Sequence, residues 1–196
     1  MDPAGIYGPD ETFAPAELLR RCAEQYGTPV LVYSGRVLRE RMDQIRRAFA
    51  WNPGFMEYFP VSVADELGLL RILCQMGGGL ACSTGLQLRL ALQAGAKPER
   101  ILFRTAFPVE EDLAQARDIG CTEIFNSPEQ LRFCRERGWL PKRLGLRFQP
   151  DERFSLRGRM RYGSQSSRFG MTREEILAAA ESLAREPLEE LGLYLQ

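Results

Sequence analysis

Few residues in this sequence could carry chemistry, and their types restrict what that chemistry could be. The chain has no histidine, and among its 26 basic residues only Lys97 and Lys142 are lysines. Arginine keeps its proton at any working pH, so these two are the side chains that could form a Schiff base with an aldehyde. Any lysine-dependent mechanism therefore has two candidates.

Ser62 follows a short apolar run, at the point where a reacting side chain would project from a barrel strand. As a nucleophile it would need a base within hydrogen-bonding reach, and without histidine the nearby candidates are Asp65 and Glu66. We favour the structural interpretation, in which Ser62 is a small polar residue that bonds a neighbouring backbone group at the strand end.

The cysteines do not form a metal-binding pattern. Five of them are spread along the chain, with no Cys-x-x-Cys pair: Cys22, Cys74, Cys82, Cys121 and Cys134. A zinc site would require closely spaced thiolate or imidazole ligands. We expect free, buried or half-buried thiols and no metal.

The composition is typical of one soluble globular domain. The 196 residues are 44% hydrophobic, with 26 acidic and 26 basic side chains. Because the charges balance, the chain has no excess of positive charge of the kind that binds nucleic acid or an anionic membrane. No apolar run approaches the roughly 20 residues that span a bilayer. The N-terminus lacks the basic and apolar segments of a signal peptide. We expect a cytoplasmic protein with neither kind of partner.

Short apolar runs alternate with amphipathic helical stretches along the chain. After an extended run at 28–33, strands are predicted at about 56–61, 79–82, 100–105, 122–125, 143–148 and 191–195. Helices are predicted at about 36–49, 64–76, 84–94, 109–119, 128–137 and 172–185, with Ser127 and Thr172 as caps of the last two.

Strands of this kind suit a parallel sheet covered on both faces, either doubly wound or closed into a barrel. The chain has no G-x-G-x-x-G after the first strand and no G-x-x-x-x-G-K-[ST], which argues against a nucleotide-binding open sheet. A complete barrel has eight strands. The sequence therefore predicts an α/β fold, an incomplete (β/α)8 TIM-type barrel of about six βα units.

One interval interrupts the alternation of strands and helices. Residues 149–170, rich in Arg, Ser and Gly, form a predicted loop of about 20 residues, longer than compact domains usually carry. It follows a strand, where active-site loops of barrels lie. It could be a solvated loop, or it could line a substrate cleft or a subunit contact.

Several segments, taken in order, resemble the fold-type III pyridoxal-phosphate decarboxylases, the family of diaminopimelate, ornithine and arginine decarboxylases. The first is AEQYGTPVLVYSGRVLRERMDQIRRAF, and the later ones are FPV, AGAKPERILF, IFNSPEQL, LGLRFQP, SSRFGM and the closing LGLYLQ. The YGTP motif and the GSQSSRFG stretch are most similar to diaminopimelate decarboxylase. Single pieces are weakly specific, but their order makes the resemblance strong.

The resemblance implies an alanine-racemase-like barrel that holds pyridoxal phosphate at its mouth, and active sites formed between the subunits of a dimer. It matches the N-terminal barrel part of the family, without the C-terminal β-rich domain. We assign residues 1–25 to an N-terminal segment with a lead-in helix and residues 26–196 to the partial barrel domain.

In this family the first barrel strand ends in the lysine that carries the cofactor, and the alignment puts Ser62 at that position. A hydroxyl cannot form an imine. Lys97 lies in a predicted turn between a helix and a strand, and Lys142 precedes the fifth strand. Reacting groups of barrels sit at the opposite, C-terminal ends of the strands, so neither lysine is expected to reach the mouth.

The resemblance also places five cofactor-pocket positions. A family Asp and Glu fall on Ala81 and Gln87, and the histidine that stacks on the cofactor ring falls on Gln196. Ser83 and Arg147 agree with a small hydroxyl residue and an arginine of the family site. Arg147 has an equally weighted alternative, an ion pair with a carboxylate such as Asp151 or Glu57.

Three hypotheses follow from these residues. In the favoured one the chain is a degenerate decarboxylase-like domain, not catalytic alone, that survives as a binding or regulatory partner or as a gene remnant. In the second it is the N-terminal part of a decarboxylase completed by another chain. In the third it is a different enzyme on a barrel fragment, or a binding protein, that recognises an anionic small molecule through Arg147 and the 149–170 loop.

An open barrel leaves unpaired backbone groups at its first and last strands, which promotes association. We expect these edges to be covered by a second copy, by another chain or by the N-terminal segment.

Overall fold

The computed structural model describes residues 14–149 and 169–195 of the chain. Its internal contacts divide the chain into two units, Met1–Phe55 and Met56–Gln196. The division at residue 25 that the sequence suggested stays a prediction. None of the helices described is both long and apolar enough to cross a lipid bilayer.

The first unit contains two helices, α1 (Ala16–Tyr26) and α2 (Gly35–Ala48). Gly27 follows α1 with a φ of 80°, a conformation that glycine adopts without strain. The Ser34 hydroxyl accepts the Val37 N–H at 3.4 Å and so caps α2. The predicted helix at 36–49 is thus confirmed to within one residue at either end.

The extended, β-type run predicted at Thr28–Tyr33 does not form a strand. These residues form an irregular connection between α1 and α2, and Leu31 is 83% exposed. A strand requires backbone hydrogen bonds to a neighbouring strand, and the described part of this unit contains none. The Val, Leu and Tyr residues of this run favour a packed, pleated surface, but this preference does not supply a neighbouring strand to pair with.

The second unit is a sheet of six parallel strands in sequential order, with one helix between each pair of neighbours. The strands are β1 (Tyr58–Pro60), β2 (Gly79–Cys82), β3 (Ile101–Arg104), β4 (Thr122–Phe125), β5 (Arg143–Arg147) and β6 (Glu190–Tyr194). The helices are α3 (Leu67–Gln75), α4 (Gly85–Gln93), α5 (Glu110–Ile119), α6 (Pro128–Glu136) and α7 (Arg173–Leu183).

The six predicted barrel strands and the helices between them are all present. The largest difference in this unit is the start of α3, which was expected near residue 64 and begins at Leu67. Glu66 has an extended backbone there, and its carboxylate accepts the Gly68 N–H at 3.2 Å, which caps the helix. The α/β fold and the incomplete barrel are confirmed.

One face of the sheet packs beneath the helices and forms the core. Six of its apolar side chains are each at most 1% exposed: Leu80, Ile101, Phe103, Phe125, Leu144 and Leu146. Because side chains alternate along a strand, register partners lie on the same face. Phe103 is paired with Glu123, and Glu123 with Leu144, so this carboxyl also lies on the helix-facing side.

The other face lines the inside of the incomplete barrel and carries several small residues. A Cβ added to Gly79 would lie 2.5 Å from the Tyr58 ring, and one added to Gly145 would lie 2.6 Å from Ile124 Cδ1. Larger side chains from the neighbouring strands therefore occupy the space that these glycines leave.

Contacts between distant strands show that the sheet curls. The Arg104 guanidinium carbon on β3 is 6.0 Å from the centre of the Tyr194 ring on β6, although three strand spacings in a flat sheet amount to about 14 Å. Burial raises the pKa of Tyr58 on β1, and the Glu190 carboxylate on β6 adds to the increase. The two edges of the sheet thus approach each other.

Glu123 is a carboxyl group buried in the layer between β4 and the helices. It is 1% exposed, and its Oε1 has no hydrogen-bond partner among the described residues. Burial raises the pKa of Glu123 from 4.5 to about 8, while the positive charge of Arg117 acts in the opposite direction. The pKa values of the nearby Cys121 and Cys134 thiols are raised to about 12 by burial and by Glu123. Glu123 is therefore protonated in the folded chain at neutral pH.

We expect the stability of the chain to fall as the pH rises from about 5 to 8. The unfolded chain releases the Glu123 proton near 4.5, whereas the folded chain keeps it up to about 8. Raising the pH through this window therefore favours the unfolded state, by at most about 4–5 kcal/mol. Urea unfolding at a series of pH values in this range measures the slope.

The Glu123→Gln variant lacks the titrating group and should show a flatter dependence of the unfolding free energy on pH. The matched control is Glu136→Gln, on the exposed side of α6, which should keep the slope of the unmodified chain. Equal slopes for Glu123→Gln and the unmodified chain would contradict the prediction.

Candidate functional site at the barrel mouth

The C-terminal ends of the six parallel strands meet at one edge of the sheet, which we call the mouth. The residues at or just beyond the strand ends are Ser62, Ser83, Arg104, Asn126, Arg147 and Tyr194. The register pairs Arg147 with Tyr194, and Arg104 lies opposite Ile124 on the same inner face. The mouth is therefore lined by polar and cationic side chains.

Arg147 lies at the end of β5 in a defined network. Its Nη1 donates to Asn126 Oδ1 at 3.2 Å, and the same oxygen accepts the Gly170 N–H at 3.2 Å. The guanidinium carbon also lies 4.8 Å from the centre of the Phe169 ring. Asn126 is 5% exposed, so a buried amide and an aromatic ring hold the charged group in place.

Arg104 and Tyr194 form a second contact across the mouth, through the 6.0 Å approach of the guanidinium to the ring. Close to Arg104, the thiol of Cys82 lies on the helix-facing side of β2. Burial raises the pKa of Cys82 to about 12, although the charge of Arg104 lowers it. A protonated thiol is a poor nucleophile, so Cys82 does not add reactivity to the mouth.

Ser62 lies in an exposed turn after β1. The Val63 N–H donates to the Pro60 carbonyl at 3.0 Å, which closes this turn. Of the two acids considered as its base, Glu66 already caps α3 through Gly68. The local geometry thus gives the nucleophile hypothesis no support.

Gln87 and Ser83 form a helix cap. The Ser83 N–H donates to Gln87 Oε1 at 2.7 Å, and the Gln87 N–H donates to the Thr84 hydroxyl at 3.3 Å. These reciprocal bonds satisfy donors at the start of α4, as in a capping box. Ala81 is buried on the inner face of β2.

The same cap recurs at α6. The Asn126 N–H donates to Gln130 Oε1 at 2.9 Å, and the Gln130 N–H donates to the Ser127 hydroxyl at 3.3 Å. Both helices begin with Ser or Thr followed three residues later by Gln, a pattern visible in the sequence. Ser127 and Thr172 are confirmed as helix caps.

Both lysines lie at the end of the sheet opposite the mouth. Lys97 precedes a short 3₁₀ turn (Pro98–Arg100) that leads into β3, and Lys142 immediately precedes β5. Lys142 pairs with Glu189 at 3.1 Å and is well exposed.

Some of the predicted site positions cannot be compared with the structure. Gln196 and the proposed Arg147 partner Asp151 lie outside the described residues, as does most of the 149–170 loop. Within residues 14–149 and 169–195, no three His, Cys, Asp or Glu side chains are arranged to hold a metal ion.

Sequence reasoning missed three residues of the mouth: Arg104, Asn126 and Tyr194. The available signal was their position, since each lies within one residue of the end of a predicted strand, where barrels place functional groups. Their mutual contacts could not be read from spacing, because they depend on how far the sheet curls.

The comparison with protein families defines the class of this chain. Residues 36–194 match the family described as pyridoxal-dependent decarboxylase, pyridoxal binding domain. The chain belongs to this family, and the resemblance seen in its segments is confirmed.

Individual relatives agree with that assignment. The diaminopimelate decarboxylase of Aquifex aeolicus is 31% identical over an alignment of 196 positions, which covers 96% of this chain and 45% of the relative. A crystal structure of an A. aeolicus protein is similar with a TM-score of 0.72 at 26% identity, covering 91% of this chain and 41% of that one. Diaminopimelate decarboxylase from M. jannaschii has a TM-score of 0.75 at 18% identity, over 90% and 43% of the two chains, and supports the fold. The chain thus spans about half the length of these relatives.

We expect Gln87→Ala to destabilise the second unit by about 1 kcal/mol, because the Ser83 N–H loses its acceptor. Gln87→Glu should be close to neutral, since a carboxylate oxygen can accept the same bond. Thermal unfolding followed by circular dichroism measures both. Gln130→Ala is the matched variant at α6 and should behave alike; a neutral Gln87→Ala would contradict the capping role.

Proposed function

We propose that this chain is a barrel domain of a diaminopimelate decarboxylase-like protein that does not hold pyridoxal phosphate covalently and is not catalytic by itself. The observation that carries the proposal is Ser62, at the position that the family resemblance gives to the lysine. Its hydroxyl cannot replace an amine in imine chemistry. The placement of Lys97 and Lys142 at the far end of the strands supports the proposal, because neither side chain is near the mouth.

The other mouth residues do not fit the cofactor as the family would hold it. The Gln87 oxygen is engaged by the Ser83 N–H, and Ala81 provides a methyl group where the resemblance expects a carboxylate. When bound, pyridoxal phosphate would supply a ring that withdraws electrons from an amino-acid substrate. Among the described strand-end residues, none provides the amine or the carboxylate that would attach and tune that ring. The role that remains is binding or regulation.

In a second candidate function, the chain is one part of a decarboxylase that another chain completes. The exposed apolar face of β6 favours this candidate. Leu193 on β6 is the register partner of Leu146, which is buried under the helices. Leu193 itself is 65% exposed, and no described helix covers it. An apolar face next to a free strand edge suits further βα units or a second copy. Ser62 weighs against this candidate, because the missing amine belongs to the half described here.

We expect no covalent adduct at the mouth when the chain is mixed with pyridoxal phosphate and reduced with borohydride. Absorbance near the edge of the visible range monitors imine formation before reduction, and peptide mass spectrometry locates any reduced adduct. The Lys97→Arg/Lys142→Arg double variant removes both lysine side chains and serves as the background. Saturable formation of an adduct on Lys97 or Lys142 of the unmodified chain, absent from the double variant, would overturn the proposal.

The Ser62→Lys variant extends this test by restoring an amine at the family position. An adduct located on residue 62 would support the alignment of this position with the family lysine. No adduct in either protein would indicate that the mouth itself is no longer a cofactor site, in agreement with the loss of the other pocket residues.

We expect the purified chain to associate, with a mass by light scattering above the 22.3 kDa of one chain. Leu193→Lys places a charge on the exposed apolar face of β6 and should shift the population toward monomer. The matched control is Leu177→Lys on α7, which is 51% exposed and should leave the mass unchanged. A well-behaved monomer at high concentration would contradict the prediction.

A further inference from the structure

We infer that the end of the barrel opposite the mouth carries a binding site for a small zwitterion with an apolar body, the chemistry of a free aliphatic amino acid. The site is a cavity of about 560 Å³ between the connection from α6 to β5 and the connection from α7 to β6, and we call it the distal cavity. Small-molecule sites usually have volumes of about 300–1,000 Å³. The distal cavity is separate from the mouth, so this site does not depend on the proposed function.

The charged side chains that line the distal cavity balance each other and are separated by segment. Arg135 and Lys142 come from the α6–β5 side, and Glu186 and Glu189 come from the α7–β6 side. A ligand with only a negative charge would be repelled by the two carboxylates, and a ligand with only a positive charge would be repelled by the two cations. A ligand that carries one charge of each sign meets a complementary group on either side.

Arg135 is held in place by contacts that use only part of its guanidinium group. Its Nη2 donates to the Ser182 carbonyl at 2.9 Å and to the Ser182 hydroxyl at 3.1 Å. Its Nε lies 3.4 Å from Glu186 Oε1, in an ion pair. The described residues offer no acceptor to its Nη1, and a guanidinium donates most strongly to a carboxylate. Nη1 is therefore the group that we assign to the ligand carboxylate.

The second ion pair across the distal cavity is easily exchanged for contacts with a ligand. Lys142 Nζ lies 3.1 Å from Glu189 Oε1, and these side chains are 76% and 51% exposed. Exposed pairs of this kind contribute little to stability. A ligand carboxylate can therefore replace Glu189 as the partner of Lys142, while the ligand ammonium group pairs with the released carboxylate.

Between the charged groups the lining of the distal cavity is apolar. Leu140 and Leu188 are half-buried, and Pro141 and Pro187 lie beside them without a backbone N–H to donate. Such a lining favours an aliphatic body over a polar one, because it offers few hydrogen-bond partners.

The two sides of the distal cavity are fixed to each other by hydrogen bonds. The Lys142 carbonyl accepts the Glu189 N–H at 2.8 Å, and the Arg135 bonds to Ser182 join α6 to α7. The cavity is thus formed without a ligand, which reduces the entropy lost on binding.

The test is titration of the full chain with three probes that share one aliphatic body, followed by calorimetry and by amide NMR signals. Leucine carries both charges, 4-methylpentanoate carries only the carboxylate, and isopentylamine carries only the ammonium group. We expect saturable binding of leucine, at least about tenfold tighter than that of either analogue, because each analogue loses one charged contact and keeps the repulsion. The amide signals that shift should belong to residues 138–142 and 186–189.

Lys142→Gln and Glu186→Gln should each weaken leucine binding by about tenfold, the effect of losing one charged hydrogen bond. The matched controls are Lys97→Gln and Glu181→Gln, two exposed positions outside the distal cavity, which should bind like the unmodified chain. Circular dichroism melting checks that each variant folds, and the exposed Lys142→Gln carries the test where Glu186→Gln does not.

Three results would overturn the inference: no saturable binding of leucine, an analogue that binds as tightly as leucine, or equal leucine binding by Lys142→Gln and Lys97→Gln. Amide shifts confined to the mouth would overturn it as well. None of the probes is an aldehyde, so these results and the borohydride result can fail independently.

Discussion

The parallel pairing of six strands in sequential order is the constraint on which the rest of this structure depends. It brings every C-terminal strand end to the same edge, although these residues are spread over more than half of the chain. It also divides the side chains between a helix-facing core and an inner face. Because the inner face carries glycines at positions 79 and 145, the neighbouring Tyr58 and Ile124 side chains can lie across it.

This division separates what stabilises the fold from what the mouth can do. The core residues Phe103, Phe125 and Leu146 belong to the helix-facing side, and their burial is independent of the side chain at position 62. A barrel domain can therefore lose an amine at the mouth and keep its architecture. Membership of a decarboxylase family is therefore compatible with the loss of chemistry that we propose.

Helix capping gives Gln87 a structural role that does not depend on a cofactor. The Gln87 oxygen satisfies a backbone donor at the start of α4, and Gln130 does the same at α6. A glutamate would offer the same acceptor with a negative charge. A glutamine at position 87 thus satisfies the helix start without placing a charge at the mouth.

The sequence alone determined the order of strands and helices in the second unit, the caps at Ser127 and Thr172, and the scarcity of amines. These features are local, since they follow from the apolar period of each segment, from single capping residues and from a count of residue types. The same local signal failed at Thr28–Tyr33, because strand formation requires a partner that composition does not specify. The tertiary structure decided that Arg104 meets Tyr194, that Arg147 is held by Asn126, and that Glu123 is buried. Such contacts depend on strand register and on the curl of the sheet, which arise when residues far apart in the chain pack together.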